Sequence, residues 1–398
     1  CGGMGGGDLR DHLKTGETNC VAVCDVDDSH ANEKANQVEE HSGKRPDIYK
    51  DFRKVLDRDD IDTVIVATPD HWHALIAISA CQAGKDVYCE KPLATSIHEG
   101  RVMVDAAEKY GRIVQIGTQQ RRAEHYGDAI DFVKSGKLGK IRLIKAWAYL
   151  DWKGELPPKP DSDPPEGVDY DFWLGPAPKR PFNENRFHFN FRWYWDYSGG
   201  LMTDWGAHMI DIAAWGLEGM VPKSAMSVGG KFGYPDDAQQ TPDTQQAIVE
   251  YDGISLVWEH ALGVGRGPFD REHGVAFHGN NGILIVDRGG WEVWPETNKT
   301  GIPTRVYKME GVPRQDSKGD YHLTHVQNFI DCVKSREKPN ASIEIAHWGV
   351  LPCHLANIAV RTGRTIQWDN DKEQIVGDDE ANKLVSREYR DPWKLPTI

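Results

Sequence analysis

The 398-residue sequence has no long apolar run, no excess of basic residues and no regular cysteine framework. Its longest apolar runs, such as residues 63–67, are far shorter than the roughly 20 residues of a membrane-spanning helix. Lys and Arg number 47 against 61 Asp and Glu, and the resulting charge of −14 argues against nucleic acid or an anionic membrane as partner. The seven cysteines are odd in number and scattered, which excludes a disulfide scaffold and favours a reduced interior.

What is present is typical of a globular chain of two domains. Hydrophobic residues make up 39% and charged residues 27% of the sequence, enough for a sizeable core. No internal repeat of solenoid period is visible.

The first 120 residues alternate short β-branched runs with helical stretches. Strands are predicted at 21–24, 63–67, 86–89 and 113–116, and helices at 29–42, 73–83 and 97–110. Repeated strand–helix–strand units with short loops predict a parallel sheet with helices on both faces, as in a Rossmann dinucleotide-binding domain. We expect this domain to span residues 1–122.

After residue 139 the pattern changes. Residues 141–149 are strand-like, and Asp252-Gly253 between two β-rich runs is a strong hairpin signal. Residues 275–279 and 282–286 look like a second antiparallel pair. The sequence therefore predicts a C-terminal α/β domain, residues 123–398, with a large, mostly antiparallel open sheet. Its last segment could pack back on the first domain.

The chain starts inside a recognisable pattern. If a glycine preceded Cys1, the residues through Gly5 would satisfy the G-x-G-x-x-G fingerprint of a dinucleotide-binding loop. We therefore expect a first strand, and any targeting peptide, to lie before residue 1. A lipidated Cys1 is the less favoured alternative. The compartment, cytoplasmic or periplasmic, cannot be read from this end.

An acidic residue at the end of the next strand extends this pattern. Asp25 lies 20 residues after Gly5, where a carboxylate accepts hydrogen bonds from an adenosine ribose and repels a 2′-phosphate. The sequence therefore predicts NAD rather than NADP, held at Gly2, Gly3, Met4, Gly5 and Asp25. The alternative is an Asp that merely starts a turn.

His71 and His73 have a spacing that could suggest zinc. They point in different directions on a turn that opens a helix, and no set of Cys, Asp or Glu ligands accompanies them. We therefore predict no metal and place His73 beside the nicotinamide.

Three later motifs carry a family resemblance. They are Thr68-Pro69-Asp70-His71-Trp72-His73-Ala74, then Glu90-Lys91-Pro92-Leu93-Ala94, and a Gly-Gly loop followed by Asp204, His208 and Asp211 as G-G-x-x-x-D-x-G-x-H-x-x-D. Together these motifs resemble the Gfo/Idh/MocA family of glucose–fructose oxidoreductase, inositol dehydrogenase and their relatives. The C-terminal region is similar to a bacterial branch that often carries a secretion signal.

The resemblance implies roles for particular residues. Lys91 would lie beside the nicotinamide and the substrate hydroxyl, and Asp204 and His208 would face the substrate. A helical i, i+4 spacing puts these last two on one face, so His208 could be the acid/base and Asp204 could orient it or bind a hydroxyl. The expected cofactor contacts also include Thr68, Pro69, His73, Glu90, Lys91 and Arg192, and the expected substrate contacts Lys91, Trp193, Trp195, Asp204 and His208. For most of the tryptophans, however, a place in the core or between the domains is the stronger reading.

The predicted function is hydride transfer between NAD and a secondary hydroxyl of a sugar, glycoside or cyclitol. The first alternative is a glycosidase that recycles NAD through transient oxidation and elimination. The second is a non-enzymatic sensor that binds NAD and sugar. By resemblance we also expect a homo-oligomer, either a dimer or a tetramer.

Overall fold

The computed structural model describes residues 1–217, 219–298 and 306–398. The predicted fold is confirmed: a Rossmann-type unit is followed by an α/β unit with a large, mostly antiparallel sheet. None of the helices in the described part of the chain is long and apolar enough to cross a membrane.

The N-terminal unit contains two sets of parallel strands. One set pairs β1 with β2, and the other has the order β3-β4-β5. A cavity of about 980 Å³ lies between β1 and β3 and is lined by residues of both strands. The elements of this unit are α1 (Gly3–Lys14), β1 (Ala22–Cys24), α2 (Asp28–Ser42), β2 (Asp47–Tyr49), α3 (Phe52–Leu56), β3 (Thr63–Val66), α4 (His73–Gln82), β4 (Asp86–Cys89), α5 (Ile97–Lys109) and β5 (Val114–Ile116).

Local sequence explains these elements. The Asp27 side chain accepts a hydrogen bond from the backbone N–H of Ser29 and so caps α2. The apolar helix α4 is buried almost throughout and packs against β4 and α5, which explains its nearly continuous apolar sequence. Every residue of β4 is buried, as expected for a central parallel strand.

The second unit is built on a ten-stranded sheet of order β15-β12-β11-β10-β6-β9-β8-β7-β16-β17. Its strands are β6 (Leu143–Leu150), β7 (Ser224–Gly230), β8 (Thr244–Tyr251), β9 (Ile254–Leu262), β10 (His273–His278), β11 (Gly282–Asp287), β12 (Gly290–Pro295), β15 (Val312–Asp316), β16 (Ile366–Asp369) and β17 (Gln374–Ile375), while β13 (Thr297–Asn298) and β14 (Val306–Tyr307) form a separate pair. The predicted hairpin is β8–β9, with Gly253 at φ 71° in its turn. Among the described strands of this sheet, only β6 and β9 pair in parallel.

Helices cover one face of the sheet. They are α6 (Glu124–Lys134), α9 (Gly206–Gly216) and α11 (Ile343–Thr362), and the remaining helices are α7 (Tyr170–Leu174), α8 (Leu201–Asp204), α10 (Tyr321–Ser335) and α12 (Asp379–Asn382). Helix α9 packs on β6, β9 and β10, whereas α11 packs on β7 and β8 and also touches α5. Because α11 contacts both units, it holds the end of β4 close to the α8–α9 segment.

The C-terminal part of the chain contacts the first unit at two places. His322 of α10 lies 3.2 Å from Asp8 and 2.6 Å from Asp11, both in α1. Near the chain end, Arg387 donates to Glu99 of α5 at 2.7 Å, and the Tyr389 hydroxyl donates to the same carboxylate at 2.6 Å.

Candidate active site

A lysine from the first unit meets a carboxylate from the second. Lys91 follows β4, and its Nζ donates to Asp204 Oδ1 at 2.6 Å and to the Asp204 backbone oxygen at 3.1 Å. Both side chains are mostly buried, at 16% and 12% exposure. Arg192 approaches the other carboxylate oxygen, with its Nε 3.6 Å from Asp204 Oδ2. The structure therefore brings together three of the residues that the sequence assigned to the site.

The electrostatics of Asp204 follow from these neighbours. Burial alone would raise the pKa of its carboxyl, but the positive charges of Lys91 and Arg192 outweigh burial and lower the pKa below its usual value. Asp204 is therefore ionised at neutral pH. It acts as the counter-ion of two cations in one buried place.

His208 is held by a residue that the sequence did not reveal. Its Nδ1 donates to Gln120 Oε1 at 2.9 Å, and both side chains are buried. Gln120 lies in a short 3₁₀ turn, Gln119–Arg122, after β5. With the proton on Nδ1, Nε2 keeps its lone pair, and it has no hydrogen-bond partner in the described part of the chain. The geometry leaves one proton acceptor available at this nitrogen.

The surroundings keep the His208 imidazole neutral. Burial is the largest cause, and the positive charges of Lys91 and Arg288 and the neighbouring His273 add to it, so the pKa of His208 lies well below its usual value. The sequence had suggested that Asp204 could orient the His208 ring, but in the structure Gln120 contacts the ring instead. Helices α8 and α9 are separated by Trp205, and the Asp204 carboxylate is directed to Lys91 and Arg192 instead.

The start of α1 fits the predicted dinucleotide site. Gly2 is the N-cap without a side-chain hydrogen bond, and the first turn holds no acidic residue. A Cβ at Gly3 would meet nothing within 4 Å, so the helix N-terminus is open, whereas a Cβ at Gly5 would lie 3.1 Å from that of Ala67 in the segment after β3. Met4 is 43% exposed beside this opening.

Asp25 lies next to these glycines. Its Oδ2 is 2.8 Å from the backbone nitrogen of Cys1, and its Oδ1 accepts from the backbone N–H of Asp27 at 3.0 Å. Thr68 and Pro69 follow β3, on the same side of the sheet as the start of α1, and both are half-buried. These positions suit the cofactor contacts that the sequence predicted for them.

Four of the predicted contact residues have other surroundings. His73 is fully buried, with its ring nitrogens 2.8 and 3.0 Å from the carbonyl oxygens of Pro92 and Thr68, so it joins two turns and has no nitrogen left for a cofactor. Glu90 is also buried, and a Cβ at Gly117 would lie 2.2 Å from its Oε1, so its side chain packs beneath that backbone.

The two predicted aromatic contacts are also directed elsewhere. Trp193 has 0% exposure and belongs to the core, and Trp195 stacks under the guanidinium of Arg361, 4.8 Å from its ring centroid. Clusters of aromatic residues in sequence more often build cores than ligand walls, and Trp193 is an example. Trp205, which lies between Asp204 and His208 in sequence, is close to the candidate site, with its ring 6.1 Å from that of His208.

One cluster in the described residues has metal-binding chemistry. Ligand atoms of Asp27, His30 and His188 lie within 4.8 Å of one another, beside Asp25. Asp27 already caps α2 and accepts from His188 Nε2 at 2.9 Å, so each of its carboxylate oxygens has a protein partner.

Known proteins match the chain over most of its length. A family model described as an oxidoreductase family with an NAD-binding Rossmann fold matches residues 1–118, and one for the C-terminal alpha/beta domain of an oxidoreductase family matches residues 132–253 and 292–395.

Two curated relatives resemble about a third of the chain each, and a solved structure resembles nearly all of it. An inositol 2-dehydrogenase of Rubrobacter xylanophilus is 32% identical over 148 residues, 37% of this chain and 41% of that protein. A glycosyl hydrolase family 109 protein of a Shewanella species is 35% identical over 137 residues, 32% of this chain and 29% of that protein. Matches with these curated relatives thus span less than half of their lengths. A levoglucosan dehydrogenase solved with NADH and levoglucosan has a TM-score of 0.67 at 18% identity, over 92% of this chain and 97% of that one. Because the two family models cover both units, the chain belongs to the Gfo/Idh/MocA oxidoreductase family.

Proposed function

We propose that this protein is an NAD-dependent oxidoreductase that transfers a hydride between NAD and a secondary hydroxyl of a sugar, glycoside or cyclitol. The observation that carries the proposal is the meeting of three groups in one buried place. They are the Lys91 ammonium, the Asp204 carboxylate 2.6 Å from it, and a neutral His208 whose Nε2 has no partner among the described residues. These groups can bind, polarise and deprotonate a hydroxyl.

The residues at the start of α1 fit NAD. Its open N-terminus can bind a pyrophosphate through backbone N–H groups, and Asp25 can accept from the hydroxyls of the adenosine ribose. Bound there, NAD would supply the acceptor or donor of the hydride. Asp25 favours NAD over NADP because its carboxylate would repel a 2′-phosphate.

The protein's own groups would handle the proton. In the oxidation direction, His208 Nε2 accepts the hydroxyl proton, while Gln120 holds the ring through Nδ1. Lys91 donates a hydrogen bond to the same oxygen and stabilises the negative charge that develops on it. Asp204 holds the ammonium group in place and offers its free lone pairs to a neighbouring hydroxyl. In the reverse direction, the same His208 nitrogen returns the proton.

A second candidate function is favoured by the relative from glycosyl hydrolase family 109. In a glycosidase that recycles NAD, transient oxidation makes a neighbouring C–H acidic, elimination breaks the glycosidic bond, and the hydride returns. NADH would then not accumulate. The sensor alternative fits this arrangement less well, since binding alone does not require an unpartnered, neutral histidine beside a lysine.

The test combines NAD with a panel of sugars, glycosides and cyclitols, following both NADH absorbance and bond cleavage. We expect NADH to form with a subset of them, and Lys91→Ala and His208→Ala to lower the single-turnover rate by about 10²–10⁴-fold while NAD affinity stays within a few-fold. Lys54→Ala and His98→Ala, at exposed positions of the first unit, are matched controls that keep the parent rate.

Each outcome assigns the function. Glycoside cleavage without NADH that is abolished by His208→Ala would replace the dehydrogenase by the glycosidase. Sugar binding with neither NADH formation nor bond cleavage would favour the non-enzymatic sensor. A parent-like rate in His208→Ala would show that this histidine is structural.

We also propose that the protein is a homo-oligomer. Met226 and Val228 of β7 and Ile248 of β8 are 46%, 62% and 42% exposed on the face of the sheet that the helices leave open. A second copy would cover this apolar patch. Light scattering after size exclusion should give a multiple of 44.7 kDa, and Val228→Glu should shift it toward the monomer.

A further inference from the structure

Arg288 carries a positive charge without a counter-ion beside the proposed catalytic groups. It lies in the turn between β11 and β12, and its guanidinium stacks on Trp205, with Cζ 4.6 Å from the ring centroid. Within the described part of the chain it makes no hydrogen bond or ion pair, and its Nε is buried without a partner. A partly buried guanidinium without a partner costs free energy, so its retention calls for a ligand.

The nearby carboxylate is already used by other arginines. Asp287 precedes Arg288 in the chain, yet it pairs with Arg271 at 2.8 Å and with Arg314 at 3.1 Å. Arg271 also pairs with Glu292. Arg288 is thus the arginine of this turn that faces Trp205 rather than an acidic side chain.

A second unsatisfied group also lies next to Trp205 and within electrostatic reach of Arg288. The ring of His273, at the start of β10, is 4.9 Å from the Trp205 ring, and both of its nitrogens are buried without a hydrogen-bond partner. Burial, helped by the charge of Arg288, lowers the pKa of His273 to about 4, so at neutral pH it offers one donor and one acceptor. Two polar side chains therefore lack partners at one place next to His208.

We propose that Arg288 and His273 form a subsite for a carboxylate substituent of the substrate, and that the substrate is an acidic sugar of the uronate class. This inference rests on the proposed function, because it assigns the substrate class of that same site. A hydroxyl would satisfy hydrogen bonds but would leave the charge of Arg288 uncompensated. A carboxylate would accept the same hydrogen bonds and also compensate the charge.

The shape of the guanidinium also favours a carboxylate. The guanidinium lies over the Trp205 ring, and as a rigid planar group it presents parallel N–H groups along its edges that match the two oxygens of a carboxylate. Asp204 is near enough for the charge of Arg288 to help lower its pKa, but its ion pairs are made with Lys91 and Arg192. The guanidinium of Arg288 therefore keeps its hydrogen-bond donors for a ligand. A sugar phosphate shares the negative charge and is the alternative anion that the test must separate.

The test compares matched sugars that differ at one carbon. Methyl glycosides with gluco, galacto and manno configuration are each assayed as the neutral sugar, the uronide and the 6-phosphate, by NADH formation at saturating NAD. We expect the uronide to have a kcat/KM at least 10-fold above that of its neutral partner in the accepted configuration.

Variants connect this preference to the arginine. Arg288→Met keeps an unbranched side chain to pack on Trp205 but removes the charge, and should lower the uronide-to-neutral ratio by about 10- to 100-fold, as expected for hydrogen bonds to a charged group. Arg288→Lys retains the charge without the planar fork and should give an intermediate ratio. Arg314→Met, which removes a paired arginine near the same turn, should leave the ratio unchanged. NAD titration of each variant checks that it is folded.

The outcomes separate this inference from the proposed function. NADH formation with neutral sugars at a rate equal to the uronides, and an unchanged ratio in Arg288→Met, would overturn the subsite and leave the oxidoreductase. A higher kcat/KM for the 6-phosphate than for the uronide would overturn the proposal that the subsite binds a carboxylate. If NADH forms with no sugar, calorimetry of uronide binding in the presence of NAD decides: binding that Arg288→Met removes supports the subsite without the reaction, and no binding overturns it.

Discussion

The hydrogen bond between Gln120 and His208 can be tested by changing only the glutamine. In Gln120→Leu the side chain keeps a similar volume but can no longer accept from His208 Nδ1, which lies 2.9 Å away in a buried place. A buried hydrogen bond of this kind is worth about 1–2 kcal/mol, and each 1.4 kcal/mol is a factor of ten. We therefore expect kcat/KM for the substrate to fall by about 5- to 30-fold, with NAD affinity unchanged.

Gln120→Glu makes a sharper test, because it should change the pH profile. In the parent, burial and nearby positive charge lower the pKa of His208, so the ring is neutral at neutral pH and the acid limb of kcat/KM lies below the usual pKa of a histidine. A carboxylate at position 120 would favour the imidazolium and raise this pKa. The acid limb should then move upward, and the ratio of kcat/KM at pH 6 to that at pH 8 should fall.

The matched control is Gln119→Leu, in the same turn but without a contact to His208 in the described structure. It should keep both the rate and the pH profile of the parent. Equal losses in the two leucine variants would refute the positioning role, and so would a Gln120→Glu profile identical to that of the parent.

Three further predictions concern the cofactor and stability. Asp25→Ala should lower the affinity for NAD and reduce the difference between the NAD and NADP affinities, measured by tryptophan fluorescence titration. Equal affinities for NAD and NADP in the parent would contradict the role of Asp25. Burial alone would lower the pKa of His322, but the hydrogen bonds that its ring donates to two carboxylates of α1 raise it to about 9. Its contribution is thus complete below pH 6.5 and lost as pH rises through 9, so His322→Gln should cost about 2 kcal/mol in urea unfolding at pH 6 and little at pH 10. Asp211→Ala should cost about 3–5 kcal/mol at any pH from 6 to 8, because it leaves the buried Arg121, now 2.8 Å from both carboxylate oxygens, without its partner; an unchanged urea midpoint would contradict this.

Local patterns were enough to predict the elements of the first unit. Alternation of β-branched runs and helical stretches predicted β3, β4, α4 and α5 to within a few residues, because their apolar faces are determined by burial between neighbouring layers. The Asp252-Gly253 turn predicted the β8–β9 hairpin for the same local reason. The parallel pairing of β6 with β9 was not predictable, since it joins residues more than 100 positions apart.

The structure brings predicted site residues together where a motif places the backbone, and separates them where only residue type was available. Lys91 and Asp204 meet because the strand end and the α8–α9 segment are fixed by the fold. Trp193 was expected at the site for its chemistry but is fully buried in the core, and the ring nitrogens of His73 face carbonyl oxygens of the protein. Gln120 could have been found, because it follows a parallel strand at the edge of the sheet where the other site residues lie.

The charges around His208 lead to a last prediction, which concerns the substrate complex. Lys91, Arg288 and His273 all lower the pKa of His208, beyond the effect of burial, which makes it a weak base in the free protein. If a carboxylate of the substrate pairs with Arg288, one of these causes is compensated, and the pKa of His208 should rise toward the value at which proton transfer at neutral pH is most efficient. The acid limb of kcat reports the substrate complex, and that of kcat/KM the free protein. With a uronide the kcat limb should therefore lie at higher pH than the kcat/KM limb. With the matching neutral sugar, or in Arg288→Met, the acid limbs of kcat and kcat/KM should lie at the same pH. If the uronide limbs coincide in the parent protein, Arg288 does not couple substrate charge to the base.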